Sequence, residues 1–323
     1  MKKLMKMLMA AVICLSLVAC GGEDDGKIKI GVIQYAQHPA LDESFEGFMD
    51  ALEAAGYSEE NVVFDIKNAS GEQINCESIA DKFVNDGNDL IYAIATPAAQ
   101  AVAAKTTSIP VVISAVTDPA TSGLVDTNEK PGGNVTGVSD LTPVKEQIAL
   151  IKEMFPNAKK IAIMYCSAED NSIVQADIAK KEAKKNGLDY VEATVSDSNQ
   201  IQQVTESLIG KVDAIYIPTD NLLAEGMATV AMVANDNNLP CIVGESGPVK
   251  NGGLASVAID YYQLGKRAGE MAVKILKGEA EPATMPIEYQ PNEECTVYVN
   301  MSVVKQLNLT IPQSVLDKAK TIK

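Results

Sequence analysis

The 323-residue sequence predicts an α/β protein made of two doubly wound, parallel-sheet lobes. Three observations support this fold class. Strand-like and helix-like segments alternate along the chain, which favours parallel sheets covered by helices on both faces. The pattern of the first half recurs in the second half. The length, at roughly 150 residues per domain, suits two units.

The first half of the chain contains five predicted strands. They are apolar runs, and the segments between them carry apolar residues at helical spacing or open with proline. In chain order the strands are 27–35, 62–66, 90–95, 110–116 and 134–139, and the helices are 41–56, 74–84 and 97–106.

The alternation restarts near residue 143 and continues to residue 276. The strands are 161–166, 190–195, 214–217, 241–244 and 255–259, and the helices are 143–155, 172–186, 201–209, 221–235 and 262–276. The same kind of succession predicts a second lobe of the same type.

Two segments of the halves resemble each other in detail. Residues 89–98 and 213–221 each begin with Asp, continue as an Ile-Tyr strand and turn through Thr and Pro into an Ala-rich helix. An Ile-Pro or Leu-Pro pair precedes the next strand in both halves, at Pro110 and Pro240. Either a duplication or the general likeness of βα units explains the echo, and a duplication predicts two similar lobes.

The N-terminus has the features of a targeting segment. Three lysines precede an apolar run at 8–19, which is shorter than the about 20 residues of a spanning helix and matches a signal-peptide core. Cys20 follows Ala19 in a pattern that resembles a bacterial lipobox, so we expect residues 1–19 to be removed and Cys20 to be acylated. The alternative is an ordinary signal peptide with a chance cysteine. The small, acidic residues 20–26 predict a flexible tether.

Composition excludes several functions. The formal net charge is −16 and the pI about 4.6, which disfavours a nucleic-acid partner. The chain has no Trp and a single His, His38, and Arg267 is its only Arg. A multi-His metal site, a two-His catalytic pair and an Arg-lined polyanion pocket are therefore unavailable. The cysteines show neither a CxxC pair nor zinc spacing, so we expect no metal and no cofactor.

Ligands of open α/β sheets bind outside the carboxyl ends of the strands, so the loops after the strands are the candidate site. These loops hold hydroxyls and carboxylates but no Lys or Arg, which suits a small zwitterion or a neutral polar ligand. In the run Thr96-Pro97-Ala98-Ala99, Thr96 is expected to cap a helix whose free N–H groups cradle a carboxylate, or to be a plain cap. Thr117 and Asp118 have the same two interpretations.

An acidic partner for an ammonium group is also present. Asp220 follows a second-half strand with no cation nearby in sequence, and it either binds an ammonium or caps the next helix. Glu169 and Asp260 are weaker candidates of the same kind.

Catalytic motifs are absent from the sequence. There is no GxSxG, no P-loop and no GxGxxG after the first strand. His38 is either a general base or a residue of the pocket wall, and no motif places a nucleophile beside it. A paired-cysteine racemase would need a thiol opposite Cys166, and Cys76 lies within a predicted helix. The sequence therefore predicts a binding protein with no catalytic residue.

Six short runs carry a family resemblance. They are 38–42 (HPALD), 95–100 (ATPAAQ), 115–119 (AVTDP), 131–137 (PGGNVTG), 215–221 (IYIPTDN) and 260–265 (DYYQLG). From Lys27 to about Pro312 the chain resembles the bacterial ABC-transporter substrate-binding lipoproteins of the tryptophan/tyrosine-type (TrpX-like) family.

The resemblance implies a periplasmic-binding-protein type I fold, in which a crossover hinge joins the lobes. Lobe 1 is expected at 27–140 plus about 261–285, and lobe 2 at 141–260 plus about 286–323. The implied function is capture of an aromatic amino acid and its delivery to a separate ABC permease and ATPase. The protein would be a monomer, lipid-anchored on the outer face of the cell membrane. A sensory lipoprotein without a permease and a surface-anchored enzyme are the alternative classes.

The resemblance also implies roles for site residues. Thr96, Ala98 and Thr117 would bind the ligand carboxylate, and Asp220 the ammonium with help from Asp118 or Asp260. Four residues would reach across from the second lobe, and Tyr35 and His38 would flank the ligand side chain. The complete predicted set is Tyr35, His38, Thr96, Pro97, Ala98, Thr117, Asp118, Ser167, Glu169, Asn171, Ser172, Asp220, Asn221 and Asp260.

Overall fold

Two separate sheets organise the chain in a computed structural model that describes residues 26–323. The predicted signal peptide, Cys20 and most of the tether lie outside the described residues. Among the described residues, no helix combines the length and the apolar character needed to cross a membrane.

The first half alternates strands and helices as predicted. Its elements are β1 (Ile28–Gln34), α1 (Pro39–Ala54), β2 (Val62–Asn68), α2 (Gln73–Asn85), β3 (Leu90–Ile94), α3 (Thr96–Ala103), β4 (Val111–Val116) and β5 (Val135–Ser139). Strands β3, β4 and β5 are buried along their whole length, because helices cover both faces of the sheet.

The second half repeats this arrangement. Its elements are α4 (Val144–Met154), β6 (Lys160–Cys166), α5 (Asp170–Lys185), β7 (Asp189–Val195), α6 (Ile201–Glu206), β8 (Ala214–Ile217), α7 (Asn221–Glu225), α8 (Met227–Asp236), β9 (Cys241–Val243), α9 (Ser246–Lys250) and β10 (Ala255–Ala258).

The last part of the chain adds elements to both lobes. They are α10 (Tyr261–Leu276), β11 (Glu288–Tyr289), β12 (Thr296–Asn300), α11 (Met301–Gln306), α12 (Gln313–Leu316) and β13 (Ala319–Ile322). Helix α10 packs along α1 of the first lobe. Gly47, Gly265 and Gly269 make this contact close, since a Cβ on any of them would collide with the backbone of the facing helix.

The strand order confirms the predicted fold class. The first sheet runs β11-β5-β4-β3-β1-β2 and is parallel throughout. The second runs β13-β12-β10-β9-β8-β6-β7, and its one antiparallel pairing joins β10 to β12. In each sheet the order of the strands reverses at the lobe's first strand, β1 or β6. Both lobes are therefore doubly wound.

The chain passes from one sheet to the other three times, after β5, after β10 and after β11. Glu288 and Tyr289 pair with Val138 and Ser139 of the first sheet. The chain therefore returns to the second lobe after Tyr289, a few residues beyond the boundary expected near 286.

The similarity between residues 89–98 and residues 213–221 is also visible in the structure. Asp89 Oδ2 accepts a hydrogen bond from the backbone N–H of Lys29 at the start of β1, at 2.8 Å. Asp213 Oδ2 accepts from Lys159 and Lys160 at the start of β6, at 2.7 and 2.9 Å. In both lobes an aspartate before the third strand thus anchors the first strand.

Two features differ from the predicted elements. The helix expected at 221–235 is divided into α7 and α8 at Gly226, where a Cβ would collide with Ile201 of α6. The short helix α9 was not predicted, because the run Ser246-Gly247-Pro248 has the composition of a turn.

Candidate functional site

Loops at the carboxyl ends of the strands line a cleft between the lobes. Its open part has a volume of about 470 Å³. The first lobe contributes the loops after β1 and β2, and the second lobe those after β6, β7 and β8. The lining residues include Tyr35, Glu72, Cys166, Glu169, Asp197, Asn221, Leu222 and Glu225.

Hydrogen bonds cross from one lobe to the other beside this cleft. His38 Nε2 lies 3.2 Å from Asn221 Oδ1. Gln175 Nε2 of the second lobe donates to Thr117 Oγ1 of the first at 3.2 Å, and Gln100 Nε2 donates to Asp170 Oδ2 at 2.9 Å. The two lobes are therefore in direct contact, which is the closed arrangement of a hinged protein.

Four buried polar atoms just after the carboxyl ends of the strands, in a loop or in the first turn of the next helix, have no hydrogen-bond partner within the described chain. They are His38 Nδ1, Thr96 Oγ1, Asn171 Oδ1 and Glu245 Oε2. All four residues are at most 5% exposed. An unsatisfied buried polar group costs about 1–3 kcal/mol, so such a concentration at the ends of strands indicates a binding site.

The structure corrects the predicted cap at Thr96. Ala95 is the N-cap residue of α3 and has a φ of 83°, while Thr96 is the first residue of the helix. The Thr96 hydroxyl makes no capping bond and has no partner in the described chain. Pro97 and Ala98 are buried beside it in the first turn, where helix N–H groups favour an anion.

Asp220 is an N-cap, one of its two predicted roles. Its Oδ1 accepts from Leu223 N–H at 2.8 Å and its Oδ2 from Cys166 N–H at 2.6 Å. The side chain thus connects α7 to the end of β6. Burial, with the negative charge of Glu169 nearby, raises the pKa of Asp220 to about 7.

The N-terminus of α7 also holds the side chain of Glu169. Its carboxylate accepts from the backbone N–H groups of Asn221 and Leu222, and from the Asn221 side-chain amide at 2.6 Å. The Asn171 amide donates to it as well and also contacts Ser172 Oγ. These contacts bring Glu169, Asn171, Ser172 and Asn221 together.

The hydrogen bonds of Asn221 determine the tautomer of His38. Because the Asn221 amide nitrogen donates to Glu169, its oxygen faces His38 and must accept a hydrogen bond from Nε2–H. Nδ1 is then the acceptor nitrogen. Burial lowers the pKa of His38, so the ring is neutral at pH 7.

Thr117 belongs to a buried network near the passage between the lobes. Its hydroxyl donates to Asp140 Oδ1 at 3.1 Å, and the Tyr261 hydroxyl donates to Asp140 Oδ2 at 2.9 Å. Burial raises the pKa of Asp140 to about 6. The network connects the carboxyl ends of β4 and β5 with the N-terminus of α10.

Three predicted residues have local roles away from the buried set. Asp118 accepts from Thr121 and Asn128 and so holds its own loop. Asp260 is an exposed N-cap of α10. Ser167 is exposed, and its hydroxyl donates to Val195 O at 3.3 Å.

Glu245 is the residue that the sequence did not single out. It follows β9 and is 1% exposed. The sequence signal was present, an acidic residue in a loop after a strand, but the same signal marks several residues. Only the three-dimensional packing separates a buried, unpartnered carboxylate from a helix cap.

The described residues offer neither a group of metal ligands nor a reactive thiol at the cleft. Within residues 26–323 no three His, Cys, Asp or Glu side chains are grouped so that they could hold a metal ion. Burial raises the pKa of the Cys76 and Cys166 thiols to about 12, so both are protonated at neutral pH. The site instead offers hydroxyl, amide, imidazole and carboxylate groups, which bind a polar organic ligand.

Two parallel-sheet lobes with a polar cleft between them are the architecture of the periplasmic-binding-protein type I class. The chain matches the family described as ABC transporter substrate binding protein over residues 29–323, and it belongs to that family. This is a binding-protein family, not an enzyme family, and its members work outside the cytoplasm.

Individual relatives are consistent with this membership. A tyrosine-binding protein from Clostridioides difficile strain R20291 is 39% identical, over 95% of this chain and 93% of that protein. The ABC domain from Streptococcus pneumoniae in complex with L-Trp superposes with a TM-score of 0.88 at 40% identity, covering 92% of this chain and 100% of that one.

A third relative provides a conformational reference. It is the ligand-free, open structure of a substrate binding protein with adhesive properties from Clostridium difficile, which is 44% identical and covers 92% of this chain and 99% of that one. Its TM-score is only 0.70. The lobes of the present chain are thus arranged more like those of the L-Trp complex, in agreement with the bonds across the cleft.

Proposed function

We propose that this protein captures an aromatic amino acid between its lobes and delivers it to an ABC permease and its ATPase. One observation carries the proposal, namely the four buried and unpartnered atoms at the cleft. They combine a hydroxyl donor with imidazole, amide and carboxylate acceptors, a set that suits both ends of a zwitterion. The tyrosine-binding relative and the relative in complex with L-Trp support an aromatic side chain.

The carboxylate of the ligand would lie at the start of α3. The Thr96 hydroxyl is unpartnered there, and the small Ala98 lets a ligand approach the first turn. The dipole of the helix favours an anion at this end. Thr117, at the end of the neighbouring strand, donates its one hydroxyl proton to Asp140 and would border this subsite without donating to the carboxylate.

The aromatic ring would occupy the open part of the cleft. Tyr35 from the first lobe and Leu222 and Gly226 from the second lobe line this space. Its volume of about 470 Å³ is within the range of small-molecule sites. His38 and Asn221 would close over the ligand from opposite lobes.

Closure is the step that would couple binding to transport. A ligand that contacts both lobes stabilises the closed form over the open form, and a permease can distinguish the two. Acylation of Cys20 would hold the protein at the membrane, because two acyl chains suffice without basic residues. In this proposal residues 1–19 are a signal peptide, residues 20–26 a tether, and the protein acts as a monomer.

A thermal-shift screen against the amino acids tests the proposal. The protein is purified in detergent and freed of bound ligand by unfolding and refolding. A ligand at 100 times its dissociation constant adds about 2.7 kcal/mol, which corresponds to a rise of several degrees in Tm. A rise with Tyr, Trp or Phe supports the proposal, and a panel in which no aromatic amino acid raises Tm overturns it.

A further inference from the structure

Glu245 lies at the line where the two lobes meet. The preceding Gly244 is so close to Thr219 that a Cβ would collide with the Thr219 backbone nitrogen. The following Gly247 faces the first lobe, where a Cβ would be 3.4 Å from Pro39. Glu245 is therefore between the Asp220 loop of its own lobe and the His38 loop of the opposite lobe.

The Glu245 side chain does not cap the helix that it precedes, α9. Glu245 is the N-cap residue of α9, yet its carboxylate makes no capping hydrogen bond. It is 1% exposed, and its Oε2 has no partner in the described chain. Asp220 is the opposite case, since backbone N–H groups occupy both of its oxygens. A buried carboxylate without partners is costly unless a cation or a donor joins it.

The charges with the largest effect on Glu245 are negative. They are those of Asp140, Asp220, Glu43 and Glu169, and together with burial they raise the pKa of Glu245. Among the ion pairs of the described chain, none includes Asp140, Asp220, Glu169 or Glu245. Lys250, further along α9, pairs with Glu43 at the surface instead.

The other carboxylates of this cluster already have donors. Tyr261 and Thr117 donate to Asp140, backbone N–H groups to Asp220, and helix α7 with two asparagines to Glu169. Glu245 alone carries an oxygen that is both buried and unpartnered. A cation that enters the closed cleft is thus attracted by the whole cluster and has one oxygen open to it.

We propose that Glu245 binds the ammonium group of the ligand, while Asp220 holds α7 and β6 in position. The assignment rests on the proposed function and deepens it by naming the substrate class. The ligand must carry a free primary amine, so the protein rejects desamino and N-acylated analogues of the amino acid that it transports.

Calorimetric titration of wild type and Glu245→Gln tests the assignment. The probes are L-tyrosine, L-tryptophan, L-phenylalanine and their desamino analogues, such as 3-(4-hydroxyphenyl)propionate for tyrosine. Wild type is expected to prefer the amino acid over its desamino analogue by at least tenfold. In Glu245→Gln that preference collapses, because affinity for the amino acid falls while affinity for the analogue does not.

Two further variants keep the test decisive. Glu43→Gln removes a neighbouring carboxylate outside the pocket and is expected to keep the wild-type preference. Glu245→Asp retains the charge and is expected to retain part of the preference, whereas a purely structural role would make it resemble Glu245→Gln. Glu245→Gln is expected to fold, since glutamine has nearly the shape of the carboxyl group that it replaces and adds no buried charge.

The failures of the two proposals are distinguishable. If wild type binds no aromatic amino acid, the proposed function fails and this assignment fails with it. If wild type binds one and Glu245→Gln retains the full preference for the free amine, only the assignment is overturned.

Discussion

His38 and Asn221 join the two lobes through a buried hydrogen bond of 3.2 Å between His38 Nε2 and Asn221 Oδ1. The residues are in the loops after β1 and β8, on opposite sides of the cleft. The Asn221 amide is held in turn by Glu169, so the bond forms only when the lobes close with this amide correctly oriented. It connects closure directly to the residues of the proposed site.

Replacing Asn221 by alanine is expected to shorten the lifetime of the bound state. The substitution removes the bond across the cleft and one donor to Glu169, and a buried hydrogen bond is worth about 0.5–1.5 kcal/mol, or more with a charged partner. We expect ligand dissociation to accelerate about tenfold, measured by stopped-flow. Gln100→Ala, which removes an exposed bond across the lobes, is the control and should change the rate little. Equal rates in the two variants would contradict this role.

Thr96→Val separates binding from folding. Valine keeps the shape but removes a hydroxyl that has no partner in the described chain. We expect ligand affinity to fall about tenfold, since a hydrogen bond to a charged carboxylate is worth about 1.5–3 kcal/mol. The unfolding free energy without ligand should be unchanged or higher.

The matched control for Thr96 is Thr106→Val. The Thr106 hydroxyl accepts from the N–H groups of Ser108 and Ile109 in a turn remote from the cleft. This variant should lose about 1 kcal/mol of stability and keep its affinity. A Thr96→Val protein with wild-type affinity would remove Thr96 from the carboxylate subsite.

Gly265→Ala tests the contact between α1 and α10. The added methyl would collide with the Ser44 carbonyl, and a shift of α1 to relieve the collision would disturb the stack of the Phe48 and Tyr92 rings. Overpacking of this kind costs about 1–3 kcal/mol. We expect a lower midpoint in urea unfolding, whereas Gly133→Ala, which meets no atom within 4 Å, should leave it unchanged. Similar midpoints would show that the helices separate easily.

The sequence predicted the strands of both sheets up to β10, because each is an apolar run bounded by charged or turn residues. It also located the cleft, since the ends of parallel strands are where ligands bind. The elements after residue 276 were not predicted. Strand β11 has only two residues, and β13, at the edge of its sheet, has no buried residue, so neither carries a clear hydrophobic pattern.

Roles within the site were harder to predict than its location. Asp220 and Glu245 both follow a strand and precede a helix, and both are acidic, so their sequence contexts are equivalent. The difference is that Cys166 N–H reaches Asp220 and no described group reaches Glu245 Oε2. Such partners come from residues far away in sequence, and no local pattern encodes them.

The stability of the ligand-free protein should depend on the cluster of buried carboxylates. Burial raises the pKa values of Asp140 to about 6, Asp220 to about 7 and Glu245 well above its usual value. The folded state therefore holds protons that the unfolded state releases near pH 4. The contribution of Asp140 and Asp220 is complete below that pH and is lost as the pH rises through their folded pKa values of about 6 and 7. The contribution of Glu245 is lost in the same direction.

His38 acts in the opposite direction, because its lowered pKa adds stability as the pH rises through about 6.5. A difference between variants isolates the Glu245 contribution. From pH 5 to pH 8, urea unfolding of wild type should lose more free energy than that of Glu245→Gln. Parallel curves would show that Glu245 does not titrate in this range.

Ligand binding should release protons, and its affinity should fall in acid. An ammonium group pairs only with an ionised carboxylate, so binding lowers the raised pKa of Glu245 and displaces its proton. Where one proton is displaced, the affinity changes up to about tenfold per pH unit. Titration calorimetry at pH 7 in two buffers of different ionisation enthalpy counts the protons released. We expect a net release in wild type and a smaller release in Glu245→Gln. Heats that do not depend on the buffer would mean that Glu245 is already ionised before the ligand arrives, and would remove the predicted loss of affinity at low pH.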